Sequence, residues 1–269
     1  MLDSPRAPRV RAAAKLQQRT ARSETGLFLL EGPAALDEAL RFAPASLVEV
    51  FATEGARERH AALLERVEPR QLTAVSERAL ATMTDTVRPQ GIVAVAKQSP
   101  VALGTAVARA AAAKHPLVAI LHEVRDPGNL GTILRAADAA GASAVVVTAN
   151  SVDPFAPKVV RSTTGSLFHL DVSVGASTAD AIAAAQAAGL AVLAADVSGG
   201  DLVALRAEGM LSGPTAWLFG NEARGLDAAT LALADRAVRL PIYGRAESLN
   251  LATAASVCLY ESAFAQRGL

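Results

Sequence analysis

The sequence has few aromatic residues, one cysteine and no excess of charge of either sign. Aromatic residues make up 4% of the 269 positions, so Ala, Val and Leu must build the core. Such a core favours layered α/β structure over an aromatic-rich β-sandwich. Cys258 has no second cysteine with which to form an intrachain disulfide, and a buried structural thiol is its expected state. This usage fits a reducing compartment, and we predict a cytoplasmic location.

The signals for membrane segments and metal sites are also absent. No uninterrupted apolar run reaches the ~20 residues of a membrane helix. The basic N-terminus has no apolar segment ahead of a small-residue cleavage site. The four histidines are scattered, and no metal-ligand spacing is present. We therefore expect neither a membrane partner nor a metal cofactor.

Basic residues are concentrated near the N-terminus, although the formal net charge is zero. Within the first 22 positions, several cations stand against one acid, Asp3. Such a run is either a solvated tail or an arm that contacts phosphate, and the sequence leaves both open. The cations are Arg6, Arg9, Arg11, Lys15, Arg19 and Arg22.

The first part of the chain, residues 1–98, alternates short apolar strands with helical segments. Residues 1–25 are predicted as a frayed basic arm that leads into a first helix, and the alternation that follows predicts a small, largely parallel α/β domain. The predicted strands are 27–31, 47–51, 72–75 and 91–96, with helices at 34–41, 56–66 and from 76. Residues 99–115 change in composition and are predicted as a linker, in which 105–113 could be helical.

The second part, residues 116–269, shows the same alternation with longer apolar runs. Continuous apolar strands such as 117–121 are typical of a central parallel sheet. The predicted strands are 117–121, 144–147, 167–174, 191–195, 216–219 and 237–240, and the predicted helices are 130–140, 154–162, 178–188 and 251–264.

Three polar clusters in this second part each follow an apolar strand and precede a helix. They run from Asp126 to Arg135, from Phe219 to Leu226 and from Leu240 to Asn250. Ligands of open parallel sheets bind at the carboxyl ends of the strands. We therefore expect the three clusters to meet at one edge of the sheet.

Each cluster also has a purely structural explanation. Ser248 and Asn250 are good helix caps, and an Arg on a helix, such as Arg135, is ordinarily solvated. The functional interpretation places Glu222 in a cleft, with Arg135 as a candidate partner. Gly220 and Gly225 would let the backbone approach a ligand closely. Backbone groups between 241 and 248 could hold an adenine-like ring.

A nucleotide-cofactor oxidoreductase is one alternative that the motifs disfavour. The spacing Gly128-x-x-Gly131 does not match a dinucleotide fingerprint, and no P-loop lysine follows it.

Together, the three clusters resemble the motifs of the SpoU/TrmH family of SPOUT methyltransferases. Those motifs are an Asn-x-Gly…Arg element, a Gly-x-Glu-x-x-Gly element and a Leu-Pro…Ser-Leu-Asn element, in the order found here. The resemblance covers about residues 116–269. The stretch that begins at Arg22 and includes Leu27–Gly32 also resembles the small substrate-binding domain that precedes the catalytic domain in many members.

The resemblance implies an α/β fold with a C-terminal SPOUT domain, 116–269, that carries a deep trefoil knot. A smaller α/β substrate-binding domain, 1–98, would precede it, and the protein would be an obligate homodimer. The implied reaction is methyl transfer from S-adenosylmethionine to a ribose 2′-hydroxyl in RNA. The added N-terminal domain favours 23S ribosomal RNA over transfer RNA. A non-catalytic RNA-binding or ribosome-assembly factor with this fold is a further alternative.

The resemblance also implies roles for individual residues. The catalytic and RNA-facing cluster would be Asn129, Arg135, Glu222, Ser248 and Asn250. The cofactor would be held, mostly by backbone, at Gly220, Leu240 and Leu249, with Ile242 lining the same pocket. RNA contacts are expected from basic residues of one face, drawn from the N-terminal arm, Arg88, Lys97, Lys158, Arg161, Arg224 and Arg245.

Overall fold

The computed structural model describes all residues, Met1–Leu269, and the chain forms two compact units. Unit 1 comprises residues 1–99 and 153–169, and unit 2 comprises residues 100–152 and 170–269. The strands, in chain order, are β1 Leu27–Glu31, β2 Leu47–Ala52, β3 Leu72–Ala74, β4 Ile92–Lys97, β5 Leu117–Leu121, β6 Ala144–Val147, β7 Asp171–Val174, β8 Ala191–Asp201, β9 Thr215–Phe219 and β10 Arg236–Arg239.

Thirteen α-helices accompany the strands, and none has the length and apolar character needed to cross a membrane. They are α1 Pro8–Lys15, α2 Arg19–Thr25, α3 Pro33–Phe42, α4 Glu54–Arg59, α5 Ala61–Leu64, α6 Glu77–Leu80, α7 Leu103–Ala111, α8 Pro127–Ala140, α9 Pro157–Thr163, α10 Thr178–Ala187, α11 Leu202–Ala207, α12 Ala228–Leu231 and α13 Leu251–Gln266.

The sheet of unit 1 has four strands in the order β1-β4-β2-β3. Strand β4 lies between β1 and β2 and is antiparallel to both, whereas β2 and β3 are parallel. The prediction of a largely parallel sheet is wrong for this unit. Alternation along the chain identifies the strands, but it does not determine which strands become neighbours.

The basic N-terminal segment is folded rather than frayed. Val10, Ala13 and Leu16 are buried in one core cluster of unit 1. Arg22 is only 3% exposed, and its guanidinium pairs with Asp153 at 2.7 Å. The same guanidinium donates to two backbone carbonyl oxygens. Arg22, one of the candidate RNA contacts, is therefore not available to RNA, because its donors are used inside the protein.

Residues 153–169 pack within unit 1, although the sequence placed them in the second domain. The ring of Phe28 lies 5.2 Å from that of Phe155 and 6.4 Å from that of Phe168, measured between centroids. A 3₁₀ turn at Ser166–Phe168 replaces the first residues of the predicted strand 167–174. These contacts join segments more than a hundred positions apart, which local patterns cannot show.

The predicted linker, residues 99–115, instead carries α7, which belongs to unit 2. Ala106, Val107 and Ala110 are buried in the core cluster of that unit. Their spacing places them on one helix face, so the helical alternative for this stretch agrees with the structure.

The sheet of unit 2 has six strands in the order β10-β8-β9-β5-β6-β7, and every neighbouring pair is parallel. Strands β5 and β9 lie side by side, with Leu121 opposite Phe219. Helix α13 packs over the sheet, where the Nε1 of buried Trp217 donates to Ser262 at 2.9 Å. Because the strands are parallel, the loops that follow β5, β8, β9 and β10 meet at one edge.

Candidate active site

The carboxylate of Glu222 is held by the loop that follows β5. Its Oε1 accepts hydrogen bonds from the N–H of Asp126 at 3.0 Å and from Nδ2 of Asn129 at 3.2 Å. Its Oε2 accepts from the N–H of Arg125 at 3.1 Å. Successive backbone N–H groups of this kind form an anion-binding nest. The first and second polar clusters therefore meet, as the sequence predicts.

These hydrogen bonds determine the ionisation of Glu222. Partial burial opposes the charged form, but donors from the backbone N–H groups of Asp126, Arg125 and Glu222 itself, with the side chain of Asn129, outweigh it. They hold the pKa of Glu222 below its ordinary value. The group is ionised at neutral pH, and it accepts hydrogen bonds rather than protons.

Asn250 joins the third cluster to the first. Its Oδ1 accepts from the N–H groups of Ala252 at 2.9 Å and Thr253 at 3.3 Å, which caps α13. Its Nδ2 donates to Oδ1 of Asn129 at 3.0 Å. The side-chain amide of Asn250 therefore both caps α13 and connects the third cluster to the first. The result is a chain of polar groups from Asn250 through Asn129 to Glu222.

A cavity of about 320 Å³ opens beside this chain in unit 2. All four residues expected to hold a cofactor line it, together with Glu222 and Ser248. Apolar side chains such as Phe219 and Val238 form part of its wall. A largely apolar pocket with few polar groups suits a small organic ligand. The four expected residues are Gly220, Leu240, Ile242 and Leu249.

Gly220 is required by the turn that follows β9. A Cβ at this position would lie 2.5 Å from the carbonyl carbon of Gly225 and 2.9 Å from Cγ of Leu226. Gly225 has φ of +65°, in the left-handed region. The backbone that approaches Gly220 most closely belongs to the same turn, and the close approach of a ligand there stays a prediction.

Arg135 is exposed on α8 and has no hydrogen-bond or ion-pair partner within the chain. The predicted pairing of Arg135 with Glu222 is wrong, because backbone N–H groups and Asn129 occupy both carboxylate oxygens. Arg135 does not line the cavity either. Its guanidinium donors remain available to a ligand.

Glu123, which the sequence reasoning missed, organises the same edge of the sheet. Its φ of +48° is uncommon for a residue with a side chain. Its Oε2 accepts from Arg224 at 2.8 Å, and its carbonyl oxygen accepts from Nδ2 of Asn221 at 2.7 Å. A hydrogen bond from Asn150 is the largest cause that lowers the pKa of Glu123. Its position just after a central strand was the available signal.

Asp196 and Val197 also line the cavity and were missed. They follow the part of β8 that pairs with β9, which ends at Ala195. The rule that ligands bind at carboxyl ends of parallel strands, applied to the strand predicted at 191–195, would have found them.

Some of the basic residues expected to bind RNA are already paired. Arg161 pairs with Glu31 at 2.8 Å and with Asp85 at 2.6 Å, and Arg224 pairs with Glu123. Among these candidates, the exposed residues without a partner in the chain are Arg6, Arg11, Lys15, Arg19, Arg88, Lys97, Lys158 and Arg245.

The site contains neither a metal cluster nor an activated nucleophile. No group of three or more His, Cys, Asp or Glu side chains could hold a metal ion. Burial raises the pKa of the Cys258 thiol, which is therefore inert. The arrangement can bind and orient a ligand whose own chemistry supplies the reactive group.

Two described family models match the two parts of the chain. A family model described as SpoU rRNA Methylase matches residues 116–260. A second, described as MRM3-like substrate binding domain, matches residues 7–94.

Individual relatives resemble the chain over nearly its whole length. The 23S rRNA (guanosine(2553)-2′-O)-methyltransferase RlmP of Bacillus subtilis (strain 168) is 34% identical over 260 residues, 96% of this chain and 97% of that protein. The crystal structure of an AdoMet-bound rRNA methyltransferase from Sinorhizobium meliloti has a TM-score of 0.82 at 34% identity, covering 100% of this chain and 97% of that one. The SpoU methyltransferase AviRb from Streptomyces viridochromogenes, in complex with AdoMet, has a TM-score of 0.81 at 28% identity, covering 98% and 100%.

Proposed function

The chain belongs to the SpoU rRNA methylase family, and we propose that it transfers a methyl group from S-adenosylmethionine to a ribose 2′-hydroxyl of 23S ribosomal RNA. The observation that carries the proposal is the hydrogen-bonded chain Asn250–Asn129–Glu222 beside the cavity of unit 2. It brings together residues of all three motifs.

The cavity fits the cofactor S-adenosylmethionine. Its volume of about 320 Å³ and its apolar walls suit an adenine ring, and backbone groups of the turns at Gly220 and Leu240 supply polar contacts. When bound, the cofactor supplies an activated methyl group on its sulfonium, so the protein needs neither a nucleophile nor a metal.

The residues of the chain then have to orient the ribose beside the cofactor. The amides of Asn129 and Asn250 are fixed by their mutual hydrogen bond, and Ser248 lines the cavity with an exposed hydroxyl. Such alignment can lower a barrier by up to ~7–11 kcal/mol. Because Glu222 stays ionised and fully bonded, its role is to hold Asn129 and the loop after β5.

Arg135 takes the remaining catalytic role. Its unpaired, exposed guanidinium can donate to the 2′-hydroxyl oxygen or to a neighbouring phosphate. An arginine stays protonated under ordinary conditions, so Arg135 orients and polarises the substrate and does not act as a base.

The RNA substrate is proposed as ribosomal because two of the relatives named above are described as rRNA methyltransferases. RlmP of B. subtilis carries 23S rRNA in its name, and the S. meliloti protein is described as an rRNA methyltransferase. The match of residues 7–94 to a substrate-binding domain supports an RNA-binding role for unit 1. Action on ribosomal RNA would place the protein in the cytoplasm.

A homodimer is proposed from the surface of α13. Val257, Tyr260 and Phe264 lie on one face of this helix and are each between 37% and 39% exposed. The rings of Tyr260 and Phe264 are 5.6 Å apart. A helix that is apolar on its outer face as well as its inner face is ordinarily buried on both sides. The deep trefoil knot stays a prediction from the family.

The test uses purified protein and tritiated S-adenosylmethionine. Unmodified 23S rRNA and transfer RNA are offered separately, and each product is digested to nucleosides. We expect label in one 2′-O-methylnucleoside from the 23S pool. Label from transfer RNA alone would contradict the proposed substrate. Absence of both labelling and cofactor binding would contradict the methyltransferase proposal itself.

A further inference from the structure

Strand β8 carries a long bulge, residues 195–199, at the edge of the cavity. Ala194 is opposite Ala237 of β10, but the next paired residue, Val238, is opposite Gly200. The five residues 195–199 therefore lie opposite the one peptide bond of β10 that joins Ala237 to Val238. Bulges of this kind bend a strand and redirect its side chains, often next to active sites.

Gly199 allows the bulge to close against β10. A Cβ at Gly199 would lie 2.3 Å from the carbonyl carbon of Ala237 and 2.3 Å from the nitrogen of Val238. At Gly200, by contrast, the nearest atom would be Cδ1 of Leu205 at 3.7 Å, an ordinary contact. The close approach is thus specific to the residue that ends the bulge.

The bulge presents one carboxylate oxygen that the protein does not use. Oδ1 of Asp196 accepts from the N–H of Ser198 at 2.9 Å and from its hydroxyl at 2.6 Å. No protein donor meets Oδ2, although Asp196 lines the cavity. Both bonds from Ser198 fix the carboxylate in place, so the free oxygen is preorganised to accept a hydrogen bond.

Other charged groups around the cavity are already engaged. Both oxygens of Glu222 accept hydrogen bonds from the loop after β5, and Arg224 pairs with Glu123. Arg239 lies 3.9 Å from Asp201. Asp196 is therefore the carboxylate of this cavity that still has an oxygen for a ligand donor.

Val197 adds an apolar surface next to this acceptor. It is 71% exposed although it lines the cavity, which is unusual for a valine in a strand. A ligand with a hydroxyl pair on one side and an apolar ring on the other would engage both residues. An adenosine group has that combination.

We propose that Asp196 recognises the ribose diol of the adenosyl cofactor, with Val197 packing against the same nucleoside. A carboxylate at the end of a parallel strand commonly accepts from ribose hydroxyls in nucleotide-binding sheets. This inference rests on the proposed function, because it takes S-adenosylmethionine as the ligand. Asp196 would thus be a cofactor-specificity residue.

The test measures binding by calorimetry, without RNA and without turnover. Wild-type protein, Asp196→Ala and Ser198→Ala are titrated with S-adenosylhomocysteine and with its 2′-deoxy and 3′-deoxy analogues. Ser198→Ala is the matched control, since it removes the hydroxyl that donates to Asp196 but keeps the carboxylate and the hydrogen bond from the backbone N–H of residue 198. Thermal unfolding verifies that each variant is folded.

The wild-type protein should bind the parent ligand about 10-fold or more tightly than at least one deoxy analogue, as for a hydrogen bond to a charged acceptor. Asp196→Ala should reduce that ratio to roughly one, and Ser198→Ala should retain most of it. If Asp196→Ala weakens all ligands by the same factor, the assignment to the ribose is overturned while the proposed function stands. If the wild-type protein binds none of them, both are overturned.

Discussion

Asn129 shows how tightly the partners of a single residue determine its orientation in this site. Its Oδ1 accepts from Asn250, its Nδ2 donates to Glu222, and its backbone N–H donates to Asp126. If the side-chain amide of Asn129 were flipped, its Nδ2 would face Nδ2 of Asn250, and two donors would meet without an acceptor. The site is therefore a set of mutually oriented groups, and each substitution tests a specific hydrogen bond.

The ionisation of Glu222 predicts how the stability of the fold depends on pH. Its pKa in the folded protein is lower than its ordinary value of 4.5, so the charged form stabilises the fold above that value. This contribution is lost as the pH falls through the lowered folded pKa. The free energy of unfolding of Glu222→Gln should fall below that of wild type by about 1 kcal/mol at pH 7.

Urea denaturation at pH 7 and at successively lower pH tests this expectation. The difference between wild type and Glu222→Gln should shrink towards zero in acid, because a protonated Glu222 resembles the amide. A difference that is constant with pH would show that the charge of Glu222 does not stabilise the fold.

The free guanidinium of Arg135 predicts a loss that a lysine cannot restore. Arg135→Lys keeps the positive charge but removes the planar set of donors, so turnover should fall by roughly 10-fold or more. The dissociation constant for S-adenosylhomocysteine should not change, because Arg135 does not line the cavity. Turnover near that of wild type would rule out a special role for the guanidinium.

Helix α13 begins at a capping residue, Asn250, that is also part of the site. Asn250→Ala removes the oxygen that accepts from Ala252 and Thr253, and should lower the free energy of unfolding by ~1 kcal/mol. Asn250→Asp keeps that oxygen and should preserve stability. Both variants lose the donor to Asn129, so both should lower methyl transfer. Full activity of the Asp variant in the tritium assay would contradict the proposed role of Asn250.

The bulge of β8 gives a second prediction for an element. Gly199→Ala forces a Cβ against the backbone of β10 and should lower the free energy of unfolding by about 1–3 kcal/mol. Gly200→Ala, one residue away, meets only an ordinary contact and should change it by less than about 0.5 kcal/mol. Urea denaturation of both variants makes the comparison. Equal effects would mean that the bulge is not closed as described.

For the whole molecule, the apolar face of α13 predicts the oligomeric state. Light scattering with size-exclusion chromatography should give wild-type protein a mass twice that of one chain. Val257→Glu combined with Phe264→Glu places charges on this face and should produce monomers. The control is Val203→Glu, at an exposed valine of α11, which should remain dimeric. A monomeric wild-type protein would contradict the proposed dimer.

Much of the molecule could be predicted because its signals are local. The apolar runs predicted the six strands of unit 2, and the predicted parallel pairing of these strands is confirmed. The three motifs identified the family, which the comparisons confirm, and the four expected lining residues do line one cavity. The catalytic roles of Arg135, Ser248 and the others stay predictions.

The features that the sequence did not reveal depend on distant partners. Asp153 neutralises Arg22 from 131 positions away, and backbone groups 96 and 97 positions away hold Glu222. The sequence alone determined which residue types stand at the ends of the strands, because periodicity and capping act over a few positions. Only the tertiary structure decided which of those groups meet, because a hydrogen bond depends on where two remote segments lie in space.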